Sequence, residues 1–121
     1  MIDIPDSNQF DVWIDEAILR LPDHFRNELN NVSIVLEEEP KGINADHSML
    51  LGLYQGIPNP LKGPYYTFTM PDKITLYKLN ILSIANWRNI PIPDVIEEVL
   101  YHEIGHLLGM NEDELRKFGT I

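Results

Sequence analysis

His102 and His106 stand four residues apart, with Glu103 directly after the first. On a helix, residues i and i+4 project from one face, so the two imidazoles can reach a single ion at about 2.0–2.1 Å. Glu103, about 100° further round such a helix, comes to lie beside the ion without ligating it. From there its carboxylate can take the proton of a metal-bound water as that water attacks a carbonyl. Water on a catalytic zinc has a pKa near ~7, so hydroxide is available at neutral pH. The spacing therefore points to metal-assisted hydrolysis.

A catalytic site of this kind needs a third protein ligand and an open position. The motif extends through Gly109 to Glu112. Gly109 can end the helix in a left-handed conformation and turn the chain back. Glu112 then swings towards the metal, with Asp113 as the alternative one residue on. Glu112 also reads as a first-turn acid favoured by the dipole of a following helix. Glu98, one turn before His102, can hydrogen-bond a ligand's ring nitrogen or be a solvated helix acid. Tyr54 and Tyr101 are candidates for steadying an oxyanion, or else core tyrosines. His24 and His47 sit in polar surroundings and read as surface residues. The chain has no cysteine, so it has neither a disulfide framework nor a thiolate ligand; any metal is held by nitrogen and oxygen.

These residues need a helix, and the pattern supplies one over residues 95–109, with Asp94 and Glu97 at capping-box spacing and Gly109 as its stop. Upstream, Phe10, Trp13, Ile14, Ala17, Ile18 and Leu21 form one apolar stripe, predicting a helix over 7–20 that Asp6 caps. Pro22 opens a second short helix to about residue 30. Strands are expected at 31–37, where Val32, Ile34 and Leu36 alternate with Ser33, Val35 and Glu37, at 49–55, and at 73–79 with Ile74, Leu76 and Lys78 on one face. Gly52 within the second strand suggests a bulge or a close backbone approach. Between the second and third strands lies a long loop with Pro58, Pro60, Gly63, Pro64 and Pro71, whose Tyr65, Tyr66 and Phe68 either contact a substrate or pin the loop. Short helices are expected at 80–88 and at 112–118, the latter capped by Asn111 with Glu114.

The chain has 121 residues, 44% of them apolar, which suits a single globular domain over residues 1–121. Nineteen acids against nine bases give a net charge of −10. That balance argues against nucleic acid as a partner, because phosphate backbones select basic surfaces. No apolar run approaches the ~20 residues of a membrane span. The acidic start of the chain lacks the pattern of a signal peptide, so the cytoplasm is the expected compartment.

In these features the chain resembles the small bacterial zincin-like metallopeptidases, described as minimal matrix-metalloprotease-like domains. The matching stretches are residues 17–23, 31–37, 51–56, 71–77 and 102–109. The resemblance implies an α+β fold: a short mixed three-stranded sheet packed on helices, with the metal-binding helix near the C-terminus. It implies one Zn2+ per chain on His102, His106 and Glu112, the family usually carrying an aspartate at the last of these positions. It implies Glu103 as general base. It also implies an edge strand above the metal that pairs with extended substrate, here Gly52, Leu53 and Tyr54. A peptide or protein is then the expected substrate. The alternative is a non-enzymatic metal-binding or interaction module on the same scaffold.

Overall fold

The computed structural model describes residues 6–41, 50–56 and 72–117. The expectations for the Pro- and aromatic-bearing loop, His47, Met49 and the end of the last helix fall outside those residues.

Helix α1, Ser7–Arg20, follows its apolar stripe. Phe10, Ile14 and Ala17 are buried, while Asp11, Asp15 and Glu16 stay in solvent. The Asp6 carboxylate accepts from the Gln9 N–H at 2.9 Å, satisfying one of the orphan donors of the first turn. Pro22 forces Leu21 into an extended conformation (ψ 145°) and stops the helix. Helix α2, Asp23–Asn27, is shorter than the expected 22–30, the chain passing into turns from Glu28 onward.

Three strands follow: β1 (Val32–Glu37), β2 (Gly52–Gln55) and β3 (Asp72–Tyr77). They form one mixed sheet in the order β1-β3-β2, with β1 parallel and β2 antiparallel to β3. β3 is central, and Ile74, Thr75, Leu76 and Tyr77 are all buried, as expected for a strand covered on both faces. β2 covers less than the expected 49–55, and β3 begins and ends earlier than the expected 73–79. The reason at the far end is Lys78. It opens helix α3, Lys78–Arg88, instead of extending the strand. Its stem is buried and its ammonium lies 5.6 Å from the centre of the Phe10 ring, a cation–π contact that accommodates a lysine in the interior. α3 therefore starts two residues before the expected residue 80. It ends at Asn89 in the left-handed conformation (φ 55°).

Helix α4, Ile92–Leu107, starts earlier than the sequence pattern suggests. The expected capping box at Asp94 and Glu97 does not form. Pro91 is the N-cap residue and Pro93 lies in the first turn, where its missing N–H costs nothing and its fixed φ favours the helix. Glu97 instead pairs with Arg20 at 3.4 Å. Val95, Ile96, Val99, Leu100 and Ile104 of α4 meet Phe10, Ile14 and Ala17 of α1, Ile81 and Ala85 of α3, and Ile74 and Leu76 of the sheet in one core. Burying each such side chain is worth roughly 1.5–3 kcal/mol, so α4 is anchored along most of its length. Helix α5, Glu112–Lys117, is capped as expected: Asn111 Oδ1 accepts from the Glu114 N–H at 2.9 Å, and Glu114 accepts from the Asn111 N–H at 3.2 Å. Among the described residues no helix is long and apolar enough to cross a membrane.

Candidate metal centre and cleft

The last turn of α4 ends in a Schellman motif. Met110 N–H bonds to Gly105 O and Gly109 N–H to His106 O, each at 2.9 Å, with Gly109 at φ 89°. That reversal returns the chain along the helix it has just left. It sets Glu112, the first residue of α5, beside the two histidines. The Nε2 atoms of His102 and His106 are 3.2 Å apart, and Glu112 Oε1 lies 2.9 Å from His106 Nε2 and 3.3 Å from His102 Nε2. Ligand atoms at about 2.0–2.1 Å from a tetrahedral zinc stand about 3.3 Å from one another. The three residues thus form a group of nitrogen and oxygen donors close enough together to hold one metal ion.

The charges agree with this geometry. Burial pushes the Glu112 carboxyl up, but the charges of His102 and His106 and the hydrogen bonds from their rings outweigh it and hold Glu112 below the usual carboxylate range. His106 is further held through Nδ1, which lies 3.1 Å from Met110 O. A carbonyl there fixes the Nδ1–H tautomer and leaves the Nε2 lone pair for a cation. His102 has no such support: its Nδ1 is buried without a partner among the described residues.

Glu103 points the other way from solvent. It is 6% exposed, and its Oε1 accepts from the backbone N–H of Tyr54 at 2.7 Å. Burial raises its pKa, against the opposing pull of His102, His106 and the Tyr54 hydrogen bond. A carboxyl whose pKa is raised by burial beside two imidazoles has the chemistry to take up or release a proton.

The sequence profile of one family, described as zincin-like metallopeptidase, matches residues 29–120 of this 121-residue chain. The chain belongs to the zincin-like metallopeptidase family. Among curated proteins none matches it in sequence.

In this zincin-like domain the three candidate ligands open onto a cleft of about 480 Å³. Glu103 lines it, and so do Gly52, Leu53 and Tyr54 of β2 and Met110 and Asn111 from the reversal. The close approach expected at Gly52 is real: a β-carbon there would come within 2.6 Å of Val99 Cγ1 and 3.2 Å of Glu103 Cγ. Only glycine lets β2 lie this tightly on α4. The segment leading into β2 is tied to α3, with Asn80 Nδ2 donating to Leu50 O at 2.7 Å.

Several candidate residues stand elsewhere. Asp113 is exposed and lies 3.5 Å from Arg116, so it is Glu112 that joins the histidines. Glu98 pairs with Arg88 at 3.4 Å and is not the partner of His102. Tyr101 packs edge-on against Phe25, with ring centres 5.2 Å apart. The Tyr54 hydroxyl donates to Asp72 at 3.0 Å, which ties the ring to β3 instead of presenting it to an oxyanion. His24 is exposed, as expected. Sequence reasoning did not reach the Tyr54 amide or the Met110 carbonyl. The one signal available was Glu103 itself, an acid that continues the apolar spacing of Ile96, Val99 and Leu100 along one face of the helix.

Proposed function

We propose that this zincin-like domain is a zinc-dependent peptidase that hydrolyses a peptide or protein segment lying along β2. The observation that carries the reading is the convergence of His102, His106 and Glu112, with donor atoms 2.9–3.3 Å apart, on the cleft that Glu103 lines. Zinc, when held there by these three residues, would acidify a water and polarise a carbonyl. Glu103 takes the proton of the attacking water and returns it to the amine nitrogen as the C–N bond breaks, so one carboxylate serves as base and then as acid. Its burial keeps bulk water from competing for that proton. The outer edge of β2, where the backbones of Gly52 and Tyr54 face away from β3, receives the substrate as an added strand. Imidazole and carboxylate ligands suit zinc among the divalent ions they bind.

The test is metal stoichiometry by elemental analysis, comparing zinc-equilibrated parent with His106→Ala. About one zinc per chain in the parent and much less in the variant is the expected result. Zinc in neither would overturn the reading. A parent that binds zinc, yet cleaves no peptide more readily than its Glu103→Gln variant, would make the domain a metal-stabilised interaction module.

A further inference from the structure

We infer that the backbone N–H of Tyr54 is the donor that aims Glu103, and that by holding it Glu103 sets where a peptide on β2 is cut. The inference rests on the peptidase reading above.

The ladder shows which backbone groups of β2 face outward. Tyr77 N–H donates to Leu51 O at 3.0 Å, so Leu51 turns its backbone towards β3. In an antiparallel pair successive residues alternate between facing the neighbour strand and facing away. Leu53 and Gln55 therefore face β3, opposite Thr75 and Lys73, and Gly52 and Tyr54 face away. The 2.7 Å bond from Tyr54 N–H to Glu103 Oε1 agrees with that phase. β2 is an edge strand of the sheet among the described residues.

A carboxylate that is 6% exposed needs a donor. A charge-assisted bond of this length restricts the torsions of a side chain that otherwise turns freely. One oxygen is thereby committed to the strand and the other is left to accept a proton. The bare Cα of Gly52, close to Glu103 Cγ, is what lets α4 approach near enough for the bond to form.

The same bond has a consequence for substrate. An extended peptide pairing antiparallel with the outer edge of β2 offers an N–H and a carbonyl at each outward position. At Tyr54 its carbonyl meets an amide that Glu103 already holds. That carbonyl is left without a donor from the strand, beside Glu103, in the cleft onto which the candidate ligands open. It is the one carbonyl whose partner is supplied by the reaction site and not by the sheet. The bond cut is then the one on the carboxyl side of the substrate residue that faces Tyr54.

Amide exchange and kinetics test this together. In the zinc-equilibrated parent the Tyr54 amide should be protected, and Glu103→Ala should speed its exchange by at least about tenfold while the Leu53 amide is unchanged. Equal exchange of Tyr54 in both proteins would overturn the inference. Proline at Tyr54 removes an N–H that the ladder with β3 does not use. Tyr54→Pro should thus keep zinc but lower kcat on the order of 100-fold, the usual cost of a misplaced catalytic group. Tyr54→Ala, which loses the ring and its Asp72 bond but keeps the amide, should act mainly on KM. Equal kcat in the two variants would overturn the inference as well. Should Tyr54→Pro not fold, the exchange comparison decides. A Glu103→Gln variant that cleaves peptides as the parent does would instead overturn the peptidase reading, leaving the exchange result to judge the contact by itself.

Discussion

The side chain of Leu115 fills the space that a β-carbon on Gly105 would need. Leu115 is 2% exposed and is the buried anchor of α5, the helix that begins with Glu112. The smallness of one residue inside α4 thus determines how closely the candidate third ligand is brought to the two on the same helix.

Gly105→Ala should therefore disturb metal binding without touching a ligand. Alanine favours a helix interior by about 1 kcal/mol over glycine, but here it must push Leu115 aside, at a typical overpacking cost of ~1–3 kcal/mol. Zinc affinity should fall about 10- to 100-fold, the range seen when a group that orients a ligand is lost. A competition titration measures it. The double variant Gly105→Ala, Leu115→Ala should recover part of the affinity by reopening the space. An affinity unchanged in Gly105→Ala would show that α5 adjusts freely.

Glu103→Gln should separate chemistry from metal binding. The amide keeps nearly the same shape, and Glu103 is not among the three converging donors. Zinc stoichiometry should stay near that of the parent. Turnover of a cleaved peptide should drop about 10²- to 10⁴-fold, the usual contribution of a general base.

Chelation should lower thermal stability, and added zinc should restore it. Any ion that binds the folded chain alone adds RT ln(1 + [L]/Kd), about 2.7 kcal/mol at a hundred times Kd. In Glu112→Ala the zinc-dependent rise in Tm should shrink, since a donor that now stands 2.9 Å from His106 Nε2 is gone. Calorimetry with and without chelator reads both effects. A Tm indifferent to zinc in the parent would count against the site.

Alkaline pH should expose Tyr77. Burial, then the negative charges of Glu37 and Glu103, raise its pKa above the ordinary phenol value. Above about pH 10 the unfolded chain releases this proton while the folded chain keeps it. The unfolded state then binds fewer protons, so stability falls as pH rises through that range. Below it the phenol is neutral in both states and has no such effect. Denaturant unfolding followed from about pH 9 upward should show the decline, and Tyr77→Phe should flatten it. Tyr101, raised by burial and then by Glu97, should account for a further part.

Much of this protein was legible in its sequence wherever the cause is local. The i, i+4 placement of His102 and His106 follows from the helical period alone. The Asp6 and Asn111 caps and the left-handed Gly109 follow from backbone donors and sterics within a few residues. The alternation of Val32, Ile34 and Leu36 was enough to place β1. Where two signals competed, the second overrode the first. Asp94 had the type of an N-cap, yet the two prolines beside it started α4 earlier. Lys78 had the phase of a strand residue, yet it entered α3 beneath the Phe10 ring. The choice of Glu112 over Asp113 needed the whole reversal after α4 and the seat of Leu115 on Gly105. The hold on Glu103 lay furthest out of reach, since its donor is a backbone amide 49 residues away. Every non-proline residue carries the same amide, so no residue type marks the one that matters. Only the folding of β2 onto α4 selects Tyr54.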